Sequence, residues 1–288
     1  MKLEFDYLIA GGGSAGCALA SRLCEDKSIT VCVVEAGGNG NNLFIKMPAG
    51  NGFVFGNPKL DWGYKSIPQK NLNNRTIYFP RGKSLGGSSI VNGMIYMRGI
   101  PSDYDSWRQL GLNGWGYSDI LPYFKKSEGS EHRNDKYHGN KGPLKIERSS
   151  NYGILEEAFI KSAVKAGHKS IDDFNGSERT GVSRLDSTVS NGVRQSSAIS
   201  YLKKKPDNLT ILTHQQISKL LINKTDVIGL ETLKSTKVYC KREVIICQGA
   251  FGTPHLLMLS GIGPADHLIE NDINPIVDLP GVGSSLAD

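Results

Sequence analysis

With 288 residues, of which 39% are hydrophobic, the chain is long enough to bury a sizeable core in one large domain or two smaller ones. Its 34 basic and 28 acidic residues give a net charge of +6, but the basic residues are scattered, which argues against a nucleic-acid partner. No window approaches the roughly 18 apolar residues of a membrane span and the N-terminus lacks a signal-peptide pattern, so we expect a cytoplasmic protein, with peripheral membrane contact left open. The five cysteines form no C-x-x-C pair and share no metal-binding spacing with the histidines, so we expect no metal site.

The first 36 residues predict a βαβ unit. "YLIA" (7–10) is a short buried strand, "SAGCALASRLCED" (14–26) is a helix whose small residues allow close packing, and "ITVCVVEA" (29–36) is a second buried strand. We expect the two strands to be parallel and joined by a right-handed crossover. Residues 37–78 then lose periodicity and are rich in Gly, Asn and Pro, which predicts a long surface excursion instead of a third sheet strand.

Two amphipathic helices are predicted in the middle of the chain. "SDYDSWRQLG" (102–111) begins with a capping-box spacing between Ser102 and Asp105. "YGILEEAFIKSAVKAGH" (152–168) carries its apolar residues on one face and ends at Gly167.

Short strands are predicted from Leu209 onward, at "LTIL", "ISKLLI", "VIGLE", "KVYC" and "EVIIC", most simply as a small antiparallel meander. The last of them, in "REVIICQGAFGTP" (242–254), is wholly apolar and leads into a glycine turn and a helix. That pattern suits a return to the parallel sheet.

A glycine-rich loop follows the first predicted strand. Gly11, Gly13 and Gly16 form G-x-G-x-x-G between a strand and a helix, the arrangement in which a helix N-terminus accepts a pyrophosphate. Glu35 ends the second strand, 19 residues after Gly16, where a carboxylate accepts hydrogen bonds from ribose hydroxyls and repels a 2′-phosphate. This motif disfavours NADP but leaves NAD and FAD open. The structural alternative is a tight glycine turn followed by a surface glutamate.

A second glycine-rich stretch, "FPRGKSLGGSSIVNGMIYMRG" (79–99), favours FAD over NAD. A flavin is a large rigid ring whose edge must be approached by backbone, and Gly86 with Gly87 permits that approach. Ser88 and Ser89 offer small hydroxyl groups, and Asn92 offers an amide to the ring or to a substrate. The alternative is a flexible glycine loop without a ligand.

These stretches carry a family resemblance. The chain resembles the N-terminal part of the glucose-methanol-choline (GMC) oxidoreductases, in particular the choline dehydrogenase and alcohol dehydrogenase branch. "GKSLGGSSIVNGMIYMRG" is similar to the first signature of the family and "GAFGTPHLLMLSGIGP" to the second. "DWGYKSIPQ", "GWGYSDILPYFKKSE" and "YHGNKGPLKI" also match, so the resemblance covers essentially the whole chain.

The resemblance implies an α/β, Rossmann-like FAD-binding fold with an added antiparallel meander and the start of a substrate domain. It implies a discontinuous FAD-binding domain formed by residues 1–150 and 193–288, with residues 151–192 beginning the substrate-binding domain. The implied activity is FAD-dependent oxidation of a primary alcohol, choline-like or aliphatic, to the aldehyde, with hydride transfer to flavin N5. The sequence leaves the electron acceptor open.

The resemblance also assigns site residues. It implies that Gly11, Gly13, Ser14 and Ala15 contact the pyrophosphate, Glu35 and Ala36 the adenosine ribose, and Ile217 the adenine through its backbone. On the flavin side it implies Arg81, Gly86, Gly87, Ser88, Asn92, Gly93 and Met94.

Four positions depart from the family or need a second interpretation. Some relatives tether FAD through a histidine where this chain has Val91, so the resemblance implies non-covalent FAD. Gln248 stands where relatives place a small residue, and we expect it either to crowd the cofactor or to turn aside. His132 and His138 lie in the polar stretch "EHRNDKYHGNKG", where we expect a solvated loop and no metal.

The family places its catalytic histidine, paired with another histidine or an asparagine, beyond the segment that this chain matches. We therefore assign no catalytic residue to residues 1–288. The alternative to an enzyme is a non-catalytic flavin-binding fragment, for which a complementary C-terminal half would be the partner.

Overall fold

A computed structural model describes residues 3–148 and 153–286. The chain groups into two compact units. The first consists of Met1–Ile45, Ala49–Val91 and Ser196–Asp288, and the second of Lys46–Pro48 and Asn92–Gln195. The predicted start of a substrate domain at 151–192 falls within the second unit.

The described strands are, in chain order, β1 (Leu3–Ala10), β2 (Val31–Val34), β3 (Tyr64–Lys65), β4 (Tyr78–Phe79), β5 (Glu128–Ser130), β6 (Leu144–Arg148), β7 (Asp186–Ser187), β8 (Val189–Ser190), β9 (Val193–Arg194), β10 (Leu209–Leu212), β11 (Ile217–Asn223), β12 (Asp226–Thr232), β13 (Lys237–Ile246), β14 (Ile262–Gly263) and β15 (Val277–Asp278). The described α-helices are α1 (Ser14–Leu23), α2 (Leu43–Lys46), α3 (Asn51–Val54), α4 (Pro101–Gln109), α5 (Tyr117–Ser127), α6 (Ile154–Lys165), α7 (Ser197–Leu202), α8 (Gly249–Leu259) and α9 (Ala265–Glu270). Short 3₁₀ helices cover Pro48–Gly50, Lys70–Leu72 and Gly87–Ile90.

A six-stranded mixed sheet forms the centre of the first unit, in the order β10-β2-β1-β13-β12-β11. The pairs from β10 to β13 are parallel, and β13, β12 and β11 are antiparallel. The predicted βαβ unit and the α/β fold are therefore confirmed.

Two strand predictions are wrong. "LTIL" is not a meander strand, because β10 pairs parallel with β2 at the edge of the central sheet. "KVYC" and "EVIIC" are one strand, β13, since the charged residues between them lie on a continuous extended segment without a turn. β13 pairs with β1 along most of its length and with β12 at residues 237–239.

Apolar side chains cover both faces of the central sheet. In β1, Ile9 joins the cluster that packs against α1 and α7, whereas Leu8 and Ala10 face the opposite cluster, which contains Leu256 of α8. This alternation follows from the two-residue period of a strand, and burial on both faces explains why the parallel strands are continuous apolar runs. All of β2 is buried, and burying each such side chain stabilises the fold by about 1.5–3 kcal/mol.

Residues 37–78 form the predicted excursion, with short helices and the β3-β4 hairpin but no strand of the central sheet. Asp61, 3% exposed, holds this segment together. Its carboxylate accepts hydrogen bonds from the backbone amides of Gly56 (2.9 Å), Gly63 (3.0 Å) and Arg81 (3.0 Å), and from the hydroxyl group of Tyr78. Three backbone segments thus depend on one buried carboxylate.

The second unit contains α4, α5, α6 and the small sheet β5-β6-β7. α4 begins at Pro101, and Asp103 Oδ2 accepts a hydrogen bond from the Ile100 amide at 2.9 Å. The predicted capping pair of Ser102 with Asp105 is therefore wrong by two residues, because a proline at the first helical position sets an earlier start. The second predicted helix is present as α6; its predicted first residue, Tyr152, lies outside the described residues.

Candidate functional site

The N-terminus of α1 faces the end of β1 with no side chain capping it and no acidic residue in its first turn. Gly13 is the N-cap, with φ −78° and ψ −161°, and Ser14 and Ala15 are exposed. The first amides of a helix have no partner within the helix, and the helix dipole makes this end attractive to anions. The arrangement suits a phosphate group.

The three glycines of this loop differ in whether the surrounding structure has room for a side chain. Gly11 has φ +101°, and a Cβ there would lie 2.7 Å from the Cys247 carbonyl oxygen; at Gly16 it would lie 2.1 Å from the Gly11 carbonyl oxygen. A Cβ at Gly13 would meet only ordinary contacts, 3.7 Å from Cys247 O and 3.8 Å from Gly87 Cα. The chain's own packing requires Gly11 and Gly16 but not Gly13, whose open side is the approach to the helix N-terminus.

The second glycine stretch packs directly on the first. The Gly86 amide donates a hydrogen bond to Gly12 O at 2.7 Å. Gly87, at φ +52°, approaches so closely that a Cβ there would lie 2.6 Å from Gly13 Cα. The two stretches therefore form one layer at the ends of the parallel strands, which we call the glycine layer: residues 11–16 with Gly86 and Gly87.

The two serines of this stretch are used differently. Ser89 Oγ donates a hydrogen bond to Gly86 O at 2.5 Å and accepts one from the Ser197 amide at 2.9 Å, so its hydroxyl group links the loop to the start of α7. Ser88 is exposed, and its Oγ accepts a hydrogen bond of 3.4 Å from the Gly82 amide.

Glu35 lies at the end of β2 and is 6% exposed, so the alternative of a surface glutamate is wrong. Its Oε2 accepts from the Gly12 amide at 2.9 Å and its Oε1 from the Gly37 amide at 2.8 Å. Burial raises the pKa of this carboxyl group, and the bonds from Gly37 and Gly12 oppose that rise. Each carboxylate oxygen can accept a further hydrogen bond, so the group still has capacity for hydroxyl donors.

A segment that sequence reasoning missed runs beside Glu35. The Glu35 amide donates to Leu212 O at 2.8 Å, and the Gln215 amide donates to Glu35 O at 2.9 Å. Gln215 Oε1 is buried without a hydrogen-bond partner among the described residues. Ile217, 8% exposed, starts β11 with its side chain in the core.

Arg81 and Gln248 both lie near the first turn of α8, since Gln248 is its N-cap and Arg81 contacts Phe251. The Arg81 amide donates to Asp61 Oδ1 at 3.0 Å, and its guanidinium lies 4.9 Å from the centre of the Phe251 ring. Gln248 packs across the glycine loop, since a Cβ on Gly11 would lie 3.2 Å from Gln248 Cγ and one on Gly252 would lie 2.8 Å from Gln248 Cβ.

Three of the predicted site residues belong to the second unit. Asn92 and Gly93 are exposed, and a Cβ on Gly93 would meet no heavy atom within 4 Å. Met94 has φ +61°, and its amide donates to Asn92 Oδ1 at 3.2 Å. These residues form a tight turn at the start of the unit.

The second unit also contains a buried charged cluster, which we call the His138 cluster: Arg98, Glu128, His138 and Asp173. His138 is fully buried, with Nδ1 2.8 Å from Glu128 Oε1 and Nε2 2.8 Å from Asp173 Oδ2. Arg98 Nη2 donates to Glu128 Oε2 at 2.7 Å. The expectation that His138 is solvated is wrong, because its partners come from positions 10 and 35 residues away that the local sequence does not reveal.

Burial lowers the pKa of His138, but hydrogen bonds with Asp173 and Glu128 outweigh burial and raise the pKa to about 9. Burial raises the pKa of Asp173, whereas the bonds from His138 and the Asn175 amide lower it to about 2. His132 is partly exposed, with Nε2 3.2 Å from Asp186 Oδ1.

A sequence model of the GMC oxidoreductase family matches residues 5–288. The chain belongs to the GMC oxidoreductase family. The GMC chain is 43% identical to an oxygen-dependent choline dehydrogenase from Rhizobium etli, over 99% of this chain and 53% of that protein. A second oxygen-dependent choline dehydrogenase, from Sinorhizobium fredii, gives 43% identity over the same shares. The GMC chain therefore spans about half the length of these relatives.

Solved structures share the GMC fold. Pyridoxine 4-oxidase from Mesorbium loti superposes with a TM-score of 0.91 at 34% identity, over 96% of this chain and 55% of that one. An FAD-dependent oxidoreductase from Chaetomium thermophilum gives a TM-score of 0.89 at 32% identity, over 96% and 51%. The GMC-type fold is thus confirmed. Of the helices that the structure describes, none combines the length and apolar character of a membrane span.

The residues at the glycine layer fit the adenosine diphosphate half of a dinucleotide. An open helix N-terminus suits the pyrophosphate, and the carboxylate of Glu35 suits ribose hydroxyls.

Proposed function

We propose that the chain is the FAD-binding part of a GMC alcohol oxidoreductase and binds FAD without a covalent bond. The observation that carries this proposal is the uncapped, open N-terminus of α1, which lies beside the buried carboxylate of Glu35 in a layer of two glycine stretches packed on each other. Membership of the family and the similarity to an FAD-dependent oxidoreductase support it.

The adenosine diphosphate half has a residue set in the first unit. The backbone at Gly11, Gly13, Ser14 and Ala15 would bind the pyrophosphate through amide donors and the helix dipole. Glu35, with Ala36, would accept the ribose hydroxyls, and the backbone of Ile217 would meet the adenine.

The flavin half is assigned to Arg81, Gly86, Gly87, Ser88, Asn92, Gly93 and Met94. Non-covalent binding is supported by Val91, which is 5% exposed, packs in a cluster with Ile45, Val54, Leu60 and Ile90, and has no nucleophilic atom.

Bound FAD would supply the hydride acceptor, flavin N5, for oxidation of a primary alcohol to the aldehyde. A choline-like or aliphatic alcohol is proposed because two of the relatives are named choline dehydrogenases. The cytoplasmic location, the lack of a nucleic-acid partner, and the division into an FAD domain and a substrate domain beginning at 151–192 remain predictions.

A second function is that of a flavin-binding part that does not catalyse by itself. The shared length of about half of each relative favours it, together with the lack of an assigned proton acceptor within residues 1–288. A general base contributes about 10² to 10⁴ in rate, so FAD bound without one would be a poor catalyst. A complementary C-terminal half would then be required.

The two functions are separated by anaerobic bleaching of flavin absorbance with choline and a panel of primary alcohols. The chain alone should bleach slowly, and the chain with the C-terminal half of a relative added should bleach at least 10²-fold faster, in line with the contribution of a general base. Rapid bleaching by the chain alone would show that a residue within 1–288 accepts the proton. No bleaching in either sample, with FAD bound, would contradict alcohol oxidation.

A further inference from the structure

The turn formed by Asn92, Gly93 and Met94 is held in one conformation by hydrogen bonds within the second unit. Met94 lies in the left-handed backbone region, at φ +61°, which an unbranched non-glycine residue adopts only when its surroundings fix it. Its carbonyl oxygen accepts a hydrogen bond from the Thr188 amide at 2.8 Å, and Thr188 Oγ1 lies 3.3 Å away. Its amide donates to Asn92 Oδ1, which closes the turn.

Arg194 contacts the same turn from inside the unit. It lies in β9, opposite Val189 of β8, and is fully buried. Its Nη1 donates to Asn92 O at 2.7 Å and to Asn92 Oδ1 at 2.9 Å. One guanidinium nitrogen therefore binds both the backbone and the side chain of a residue 102 positions away.

The chemistry of this contact determines which way the Asn92 amide is turned. A guanidinium has only donors, and the Met94 amide is also a donor, so both must meet the oxygen of the Asn92 side chain. The NH₂ group of Asn92 consequently lies on the other side of the amide plane. Asn92 thus presents donors, and not an acceptor, on the side away from Arg194.

We infer that Arg194 is a positioning residue that orients the Asn92 amide for the bound flavin or its alcohol substrate. The inference rests on the proposed function, because it takes Asn92 to be part of the flavin site. Arg194 lies outside both glycine stretches and both signatures, and it acts through Asn92 without being assigned a contact with the cofactor. This role has a physical basis. Because Arg194 is fully buried, water does not compete for its charge-assisted hydrogen bonds, which are therefore strong.

A double-mutant cycle on FAD affinity tests the inference. In Arg194→Lys the ammonium is a point charge on a shorter group and cannot reproduce both bonds with the geometry of the guanidinium. We expect Asn92→Ala and Arg194→Lys each to weaken FAD binding by about 5- to 30-fold, and the double variant to be within about twofold of Asn92→Ala. Arg184→Lys, a partly exposed arginine of the same unit, is the matched control and should leave FAD affinity unchanged.

The variant Asn92→Asp tests whether the NH₂ group of Asn92, and not its oxygen, is needed for FAD binding. The aspartate keeps an oxygen for Arg194 and for the Met94 amide but loses the NH₂ donors, so the turn should remain while FAD affinity falls as in Asn92→Ala. Equal losses from Arg194→Lys in the wild-type and Asn92→Ala backgrounds would overturn the inference, because Arg194 would then act independently of Asn92.

A measurement without FAD separates this inference from the proposed function. In the chain without cofactor, amide hydrogen exchange at Met94 and Thr188 should be at least about fivefold faster in Arg194→Lys than in Arg184→Lys, because the turn is then less firmly held. Unchanged exchange at both amides would overturn the positioning role. If the wild-type chain bound no FAD, the proposed function would fail, and the exchange result alone would decide the role of Arg194.

Discussion

The glycine layer and the His138 cluster each bury an ionisable side chain. In the glycine layer its hydrogen-bond partners are backbone amides, whereas in the His138 cluster they are charged side chains. Glu35 is held by the backbone amides of Gly12 and Gly37, each at one oxygen. His138 is held by Glu128 and Asp173, so both of its ring nitrogens are already in hydrogen bonds with charged side chains. The first arrangement leaves acceptor capacity for a ligand, whereas the second is closed and belongs to the architecture of its unit.

The largest predicted effect is the loss of unfolding free energy when His138 is replaced. His138→Gln would leave the carboxylates of Glu128 and Asp173 without their shared partner, and breaking a buried ion pair costs about 3–5 kcal/mol. Urea unfolding followed by circular dichroism measures this loss of unfolding free energy. His132→Gln is the matched control, because His132 is partly exposed and such pairs contribute about 0–1 kcal/mol. Equal, small losses in both variants would show that the His138 cluster does not stabilise the fold.

The next effect concerns the open side of the glycine layer. Gly13→Val should weaken FAD binding by at least about 100-fold, roughly 2.7 kcal/mol, because the side chain takes the space in front of the helix N-terminus. The fold should remain, since a Cβ at Gly13 meets only ordinary contacts. Gly52→Val, where nothing lies within 4 Å, is the control for a valine placed on the surface. Binding of wild-type strength in Gly13→Val would locate the phosphates elsewhere.

This contrast explains what the sequence could reveal. Gly11, Gly13, Gly16 and Glu35 were predictable because the strand, turn and helix that mark their positions lie within 25 residues of chain. The His138 cluster was not predictable, since its four members come from separate segments and only folding brings them together. The misassignment of "LTIL" has the same cause, because the neighbour of an apolar strand is decided by sheet order and not by its own residues.

Gln215 and Arg194 show a further limit. Each is an ordinary polar residue in a stretch without a recognisable motif, and its importance appears only from what it contacts or lacks among the described residues.

Glu35 should give a smaller effect than Gly13 because only part of its role is lost with its charge. Glu35→Gln keeps one carbonyl oxygen for the Gly12 or Gly37 amide and removes the carboxylate, so FAD binding should weaken by about 10- to 100-fold, or about 1.4–2.7 kcal/mol. Glu35→Ala removes both acceptors and should also lower the melting temperature. Equilibrium titration with FAD and thermal unfolding provide the two readouts. An affinity equal to wild type in Glu35→Gln would mean that the carboxylate serves the loop alone.

The smallest effect is a pH dependence of stability from the His138 cluster. The pKa of His138 is raised to about 9 in the fold, so its contribution is complete below its ordinary pKa of 6.5 and is lost as the pH rises through 9. The pKa of Asp173 is lowered to about 2, so its contribution is present above 3.8 and is lost as the pH falls through 2. We expect the unfolding free energy to fall by an amount on the order of 1 kcal/mol between about pH 6.5 and 9 in the wild type. In His138→Gln this alkaline slope should be smaller, and an identical slope would assign it to other groups.

The central claim, that the glycine layer holds a flavin dinucleotide, is tested most directly by equilibrium binding of FAD and of NAD to the folded wild-type chain. We expect FAD to bind, to be released unmodified on denaturation, and not to be displaced by NAD at the same concentration. A chain that is folded by circular dichroism but binds no FAD, or that binds NAD more tightly than FAD, would contradict the account.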